Sequence, residues 1–146
     1  MQKIEFKDLP DTTTPIDADN LNDLQDNVEE AINLVSNYST EEKVIGTWID
    51  NRPLYRKVIS TGNLPNASVK NINHGISNLD KYINMYGIVS DGSYSIPLPY
   101  FYPSEMISTY GIGIESPNKL SINIITGVDR TGYSGYVVLE YTKTTD

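Results

Sequence analysis

The chain has 146 residues, no cysteine and a formal net charge of −8, enough for one domain with its own core plus a modest appendage. The missing cysteines exclude a disulfide framework and thiolate metal sites, and the acidic balance argues against nucleic acid, whose phosphates require clustered Lys and Arg. No apolar run approaches the roughly 20 residues of a membrane helix, and Met1-Gln2-Lys3-Ile4-Glu5-Phe6 lacks the apolar core of a secretory signal, so a soluble, cytoplasmically made chain without membrane insertion is expected.

The charge is unevenly spread. Residues 1–40 hold Glu5, Asp8, Asp11, Asp17, Asp19, Asp23, Asp26, Glu29 and Glu30 against only Lys3 and Lys7, and such asymmetry points to parts with separate jobs. Residues 1–16 read as an extended arm. Lys3-Ile4-Glu5-Phe6-Lys7 alternates, and Leu9-Pro10-Asp11-Thr12-Thr13-Thr14-Pro15 then disfavours helix and sheet alike.

A helix is predicted over 17–37, with Asp17 as N-cap and acids in its first turn, where the helix dipole favours them. Leu21, Leu24, Val28, Ala31 and Val35 recur at spacings of 3, 4, 3 and 4. That is the narrow seam of a coiled coil rather than the broad stripe of a helix lying on a globule. The predicted role is a short oligomerisation stem, and the competing reading is a helix docked on its own β-domain.

From residue 38 onward Tyr, Ile, Val, Thr, Ser, Asn and Gly dominate. Alternating runs are cut by turn signals about every ten residues, the pattern of a sandwich or barrel. Strands are predicted over 44–49 and 54–59, joined across Asp50-Asn51-Arg52-Pro53, and over 71–76. Further strands are predicted over 82–89 and 94–98, joined at Asp91-Gly92, with Pro97 and Pro99 confining the second to a sheet edge. The last are predicted over 108–114 and 120–126, around the turn Ser116-Pro117-Asn118-Lys119, and over 136–142. The predicted fold is mainly β with an N-terminal helix: an arm at 1–16, a coiled-coil stem at 17–37 and an antiparallel, jelly-roll-like β-sandwich head at 38–146.

The residues give little sign of catalysis. His74 is the single histidine, and no G-x-S-x-G elbow accompanies it. The acids of the β-part, Asp50, Asp80, Asp91, Glu105, Glu115, Asp129 and Glu140, are scattered. They read as turn and surface acids, although two of them brought together in space would make a glycosidase pair. Asp17-Ala18-Asp19-Asn20-Leu21 starts like a calcium loop but has Leu where the loop needs Gly, so no metal and no cofactor are expected. Eleven tyrosines against two phenylalanines and one tryptophan favour surfaces that are apolar in area and polar at the tip. Tyr100-Phe101-Tyr102-Pro103 puts bulky neighbours on a Pro-bounded loop, where they cannot all face one core. Tyr100, Phe101, Tyr102 and Tyr133 are the ligand or interface candidates.

Two stretches resemble proteins of bacteriophage virions. Ile4-Glu5-Phe6-Lys7-Asp8-Leu9-Pro10-Asp11-Thr12-Thr13-Thr14-Pro15, running into Asp19-Asn20-Leu21-Asn22, resembles the attachment arm of fibre and baseplate-periphery proteins. Glu41-Glu42-Lys43-Val44-Ile45-Gly46-Thr47-Trp48-Ile49-Asp50-Asn51-Arg52-Pro53-Leu54-Tyr55 resembles the start of a C-terminal domain of tail- and head-fibre proteins, continued in Gly62-Asn63-Leu64-Pro65 and Asn73-His74-Gly75-Ile76. Asn51 stands where Gly is expected in that family's hairpin turn, and no long shaft separates stem from head. The resemblance implies a non-enzymatic virion appendage. It would be a homo-oligomer, most often a trimer, held to other virion proteins through Ile4, Phe6, Leu9 and Pro10, with a β-head offered to host cell-surface carbohydrate. The alternatives are a capsid or tail decoration or connector protein with an assembly role, and a glycan-cleaving enzyme.

Overall fold

A computed structural model describes residues 18–36, 38–100 and 110–144. The predicted attachment residues Ile4, Phe6, Leu9 and Pro10, the predicted N-cap Asp17, and the candidates Phe101 and Tyr102 lie outside them. The chain divides into two units, Met1–Asn37 and Tyr38–Asp146.

The described part of the first unit is a single helix, α1 (Ala18–Ser36). Its heptad spacing puts Leu21, Leu24, Val28 and Ala31 on one face. Leu21 is half-buried, Ala31 is exposed, and Leu24, Val28 and Ile32 are 59%, 45% and 52% exposed. The fifth seam residue, Val35, lies on the helix, its side chain outside the described set. A 19-residue helix gains little stability from propensity alone, so an uncovered apolar seam is the part of it that needs an explanation.

The described strands of the second unit pair antiparallel. Its strands are β1 (Lys43–Thr47), β2 (Pro53–Asn63), β3 (Val69–Asn73), β4 (Leu79–Ser90), β5 (Ser95–Leu98), β6 (Ile112–Asn118), β7 (Ser121–Thr126) and β8 (Ser134–Lys143). They make a five-stranded sheet in the order β1-β2-β8-β4-β5 and a three-stranded sheet in the order β3-β7-β6. Strand β8, last in sequence, is the centre of the larger sheet. Its alternate residues Val137, Leu139 and Tyr141 are fully buried, and Val138 and Thr142 are buried as well, as expected where both faces of a strand are covered. Ile112, Ile122 and Ile124 of the smaller sheet join Tyr55, Ile59, Leu79, Val89, Leu98, Val137, Leu139 and Tyr141 of the larger in one hydrophobic cluster. Each such side chain contributes about 1.5–3 kcal/mol through burial.

The hairpin expected across Asp50-Asn51-Arg52-Pro53 joins β1 to β2. Asn51 takes the left-handed conformation at φ 65°, which Asn tolerates better than most residues, and its amide donates to the Trp48 carbonyl at 2.9 Å. Arg52 fastens the turn to β4, reaching Asp50 and Asp80 at 2.7 Å each. Strand β5 is an edge strand, where Pro97 removes no ladder donor that matters.

Most strand ends differ by a few residues from the sequence reading: β1 stops at Thr47 rather than 49, β2 runs on to Asn63 rather than 59, and β6 starts at Ile112 rather than 108. Two of the differences have a clear local cause. The strand expected over 71–76 ends at Asn73, because Gly75 at φ 62° turns the chain and carries His74 and Ile76 inward, 2% and 5% exposed. The turn expected at Ser116–Lys119 moves to Lys119 and Leu120, with β6 running on to Asn118 through a bulge after Glu115. Pro117 is accommodated there because β6 is an edge strand and a bulge suspends the ladder.

Candidate ligand site

The connection from β7 to β8 is folded by its own side chains. Asp129 Oδ1 accepts the Thr131 amide at 2.9 Å and the Thr131 hydroxyl at 2.8 Å, a turn Asp is well suited to close. The Tyr133 amide donates to the Arg130 carbonyl at 2.8 Å. The segment leaving β2 then grips this turn from the other side. Arg130 N donates to the Pro65 carbonyl at 3.2 Å, and Leu64 N donates to the Tyr133 carbonyl at 2.8 Å. The backbone thereby fixes Arg130 and Tyr133, and the Tyr133 ring also packs against the hydrophobic core.

The β4–β5 turn is built alike. Gly92 takes φ 94°, and Asp91 Oδ1 accepts the amides of Ser93 at 2.8 Å and Tyr94 at 2.7 Å. Those amides, Tyr94 foremost, hold the Asp91 carboxyl below the ordinary carboxylate range. The same carboxylate, beside the Tyr133 hydroxyl, pushes the pKa of that hydroxyl up. Tyr100 and Ile112 exchange both backbone hydrogen bonds, at 2.9 and 3.0 Å, joining the segment after β5 to the start of β6.

These loops line a half-open cavity of about 310 Å³, bordered by Tyr94, Ser95, Ile96, Pro97, Tyr100, Tyr110, Arg130 and Tyr133. It lies at the small end of ligand sites, which run to roughly 300–1,000 Å³. Of the residues singled out in the sequence, Tyr100 and Tyr133 meet here. Tyr94, Tyr110 and Arg130 were not singled out. Both tyrosines belong to the general tyrosine excess, and Arg130 carries no sequence signal beyond its place in a polar turn. Its guanidinium lies 5.4 Å from the centre of the Tyr133 ring and donates from Nη2 to the Tyr110 carbonyl at 3.1 Å. Its Nε is buried without a hydrogen-bond partner.

Of the β-part acids singled out in the sequence, Glu105 lies outside the described residues and the others have partners. Asp50 and Asp80 hold Arg52, Glu140 holds Arg56 at 2.8 Å, Glu115 accepts from Asn123 at 3.1 Å, and Asp91 and Asp129 close turns. Hydrogen bonding from Arg52 lowers the carboxyls of Asp50 and Asp80, and the Thr131 amide lowers that of Asp129. A general acid needs the opposite shift. Among the described residues no three His, Asp or Glu side chains come together as a metal site.

His74 is a buried structural residue. The Ile76 amide donates to its Nδ1 at 3.1 Å, so the ring proton resides on Nε2 and is donated to the Tyr82 hydroxyl at 2.8 Å. Burial, with Lys57 adding to it, lowers the pKa from its ordinary 6.5. Protonation would put a proton on Nδ1 and break the Ile76 bond. With the folded pKa depressed, the unfolded chain binds the proton first, so stability is full above about pH 6.5 and falls as pH drops from there toward the folded pKa. Urea midpoints measured between about pH 7.5 and 5 are expected to decline in the wild type and to flatten in His74→Gln, since the carboxylates titrate mostly below that window.

Comparison with family models, with curated proteins and with solved structures found no match.

Proposed function

We propose that this chain is a non-enzymatic appendage subunit of a bacteriophage virion, a short fibre or adhesin whose β-head binds host cell-surface carbohydrate. The observation that carries this reading is the cavity in which Tyr94, Tyr100, Tyr110 and Tyr133 surround Arg130. Tyrosine rings offer flat apolar area with a hydrogen-bonding tip at low entropic cost, which suits the mixed faces of a sugar ring. In this reading α1 forms a coiled-coil stem through Leu21, Leu24, Val28, Ala31 and Val35, joining most often three copies. Residues 38–146 form a β-sandwich head, and the arm at 1–16 attaches to other virion proteins through Ile4, Phe6, Leu9 and Pro10. Several heads on one stem turn a weak single-site contact into useful avidity. The lowered carboxyls of Asp50, Asp80, Asp91 and Asp129 support binding over glycan cleavage.

A specific observation favours a second reading, a decoration or connector protein with an assembly role. On the face of the larger sheet turned away from its core, Ser60, Tyr136, Ile88 and Pro97 form one cross-strand row over β2, β8, β4 and β5. Tyr136 and Ile88 are both more than half exposed.

The discriminating experiment offers the full chain to a panel of immobilised bacterial surface polysaccharides. The adhesin reading expects retention on at least one of them, weakened about tenfold or more by the double substitution Tyr94→Ala, Tyr110→Ala, at unchanged circular dichroism. Tyr94 is 71% and Tyr110 45% exposed, and neither belongs to the buried core, so the fold is expected to survive. No retention on any polysaccharide, or retention that the double variant does not weaken, would overturn the reading.

A further inference from the structure

Charge accounting singles out one residue of the cavity. The chain has three arginines. Arg52 is neutralised by Asp50 and Asp80, and Arg56 by Glu140 through both Nε and Nη2. Arg130, among the described residues, forms no ion pair. Its one hydrogen-bond acceptor among the described residues is uncharged, the Tyr110 carbonyl, and its Nε is buried and unpartnered. Among the described residues this cation therefore has no ion-paired carboxylate, and it stands in a cavity walled largely by tyrosines.

Resting on the carbohydrate reading of the same cavity, we infer that the site takes a carboxylate-bearing saccharide, with the sugar acid answering Arg130 and the sugar ring lying against the tyrosines. The guanidinium fork matches a carboxylate in plane and charge. A single negative charge suits the surroundings better than a phosphomonoester would. A phosphomonoester carries about −1.5 to −2 at neutral pH. Here one arginine faces the ligand, and the Asp91 carboxylate stands just behind the Tyr133 hydroxyl. A cavity of about 310 Å³ admits a terminal sugar or a short stretch of chain. Specificity would therefore lie with the acidic unit itself rather than with a long oligosaccharide.

The test titrates the full chain with an oligogalacturonate and with its carboxyl-reduced, neutral counterpart of the same length and linkage. The wild type is expected to prefer the acidic form by about tenfold or more, as for a charged hydrogen-bonded partner. The preference should collapse in Arg130→Gln, survive in part in Arg130→Lys, and shrink as salt is raised. Equal affinity for both forms, unchanged in Arg130→Gln, would overturn the inference while leaving carbohydrate binding intact. Tighter binding of a sulfated counterpart would overturn the carboxylate assignment. Binding of neither these nor any surface polysaccharide would instead remove the carbohydrate reading on which the inference rests. The wild type's own acid-to-neutral ratio decides the matter even if a variant fails to fold.

Discussion

Replacing Gly135 by alanine is expected to destabilise the β-unit by about 3 kcal/mol or more, the upper range for forcing atoms into a packed interior. Gly135 sits opposite Val89 where β8 pairs with β4. A Cβ built there would lie 2.0 Å from the Ile88 carbonyl oxygen and 2.8 Å from Val89 Cα, whereas carbon and oxygen approach to about 3.3 Å even when attracted. Both obstacles are backbone, so no rotamer change relieves them. Gly87 is its counterpart on β4, its Cβ position 2.3 Å from the Tyr136 carbonyl oxygen. The strands close together only because neither carries a side chain at these points. A fall in Tm of more than about 10 °C is expected for Gly135→Ala. Gly132→Ala, three residues away with nothing within 4 Å of its Cβ position, should stay within about 0.5 kcal/mol of wild type. The close approach lies at the end of the β4–β8 ladder next to the turns that carry Tyr94, Arg130 and Tyr133. Weakened binding of any cavity ligand is therefore expected to accompany the loss of stability. A Gly135→Ala protein as stable as Gly132→Ala would mean that the two strands are not this close.

How much of this was legible beforehand depends on whether the signal is local. The alternation of Val137, Leu139 and Tyr141, the Asp91-Gly92 turn, and the prolines that push β5 to an edge are local, and the strands they mark lie where expected. Periodicity assigns a residue to a face but names no neighbouring strand, so nothing in the sequence placed β8 between β2 and β4. The strand predicted over 71–76 ran too long for a related reason. His74 and Ile76 keep the alternation, and the φ of Gly75 that ends the strand is invisible in a pattern of apolar residues.

The cavity divides the same way. Tyr100 drew notice because a Pro-bounded run of bulky residues cannot all turn inward. Arg130 has no such mark, being one basic residue in a turn. Its meaning comes from the contrast with Arg52 and Arg56: Asp50 beside Arg52 is a local partner, but Asp80 and Glu140 stand 28 and 84 residues away along the chain. A counter-charge supplied from so far off cannot be read from sequence, and neither can its absence among the described residues.

The substitution pair Leu24→Asp, Val28→Asp is expected to convert the proposed trimer to a monomer, measured as solution mass by light scattering on the full chain. Leu24 and Val28 are about half exposed in the single chain, and burying such a side chain in full yields roughly 1.5–3 kcal/mol. With about half of each side chain left to bury, two of them per protomer amount to roughly 2 kcal/mol, or about thirtyfold in association for each copy that joins. The introduced aspartates would add the cost of desolvating charge in a narrow apolar seam, within a helix already rich in acids. Because α1 and the β-unit are separate units, the thermal transition of the β-unit should not move. A wild type that is monomeric would refute the coiled coil outright. A multimer that survives the double substitution would shift assembly to another surface, and the exposed row of Tyr136, Ile88 and Pro97 is the first to test. Tyr136→Glu would then break the oligomer where the helix substitutions did not, and the balance would move from an adhesin toward an assembly protein.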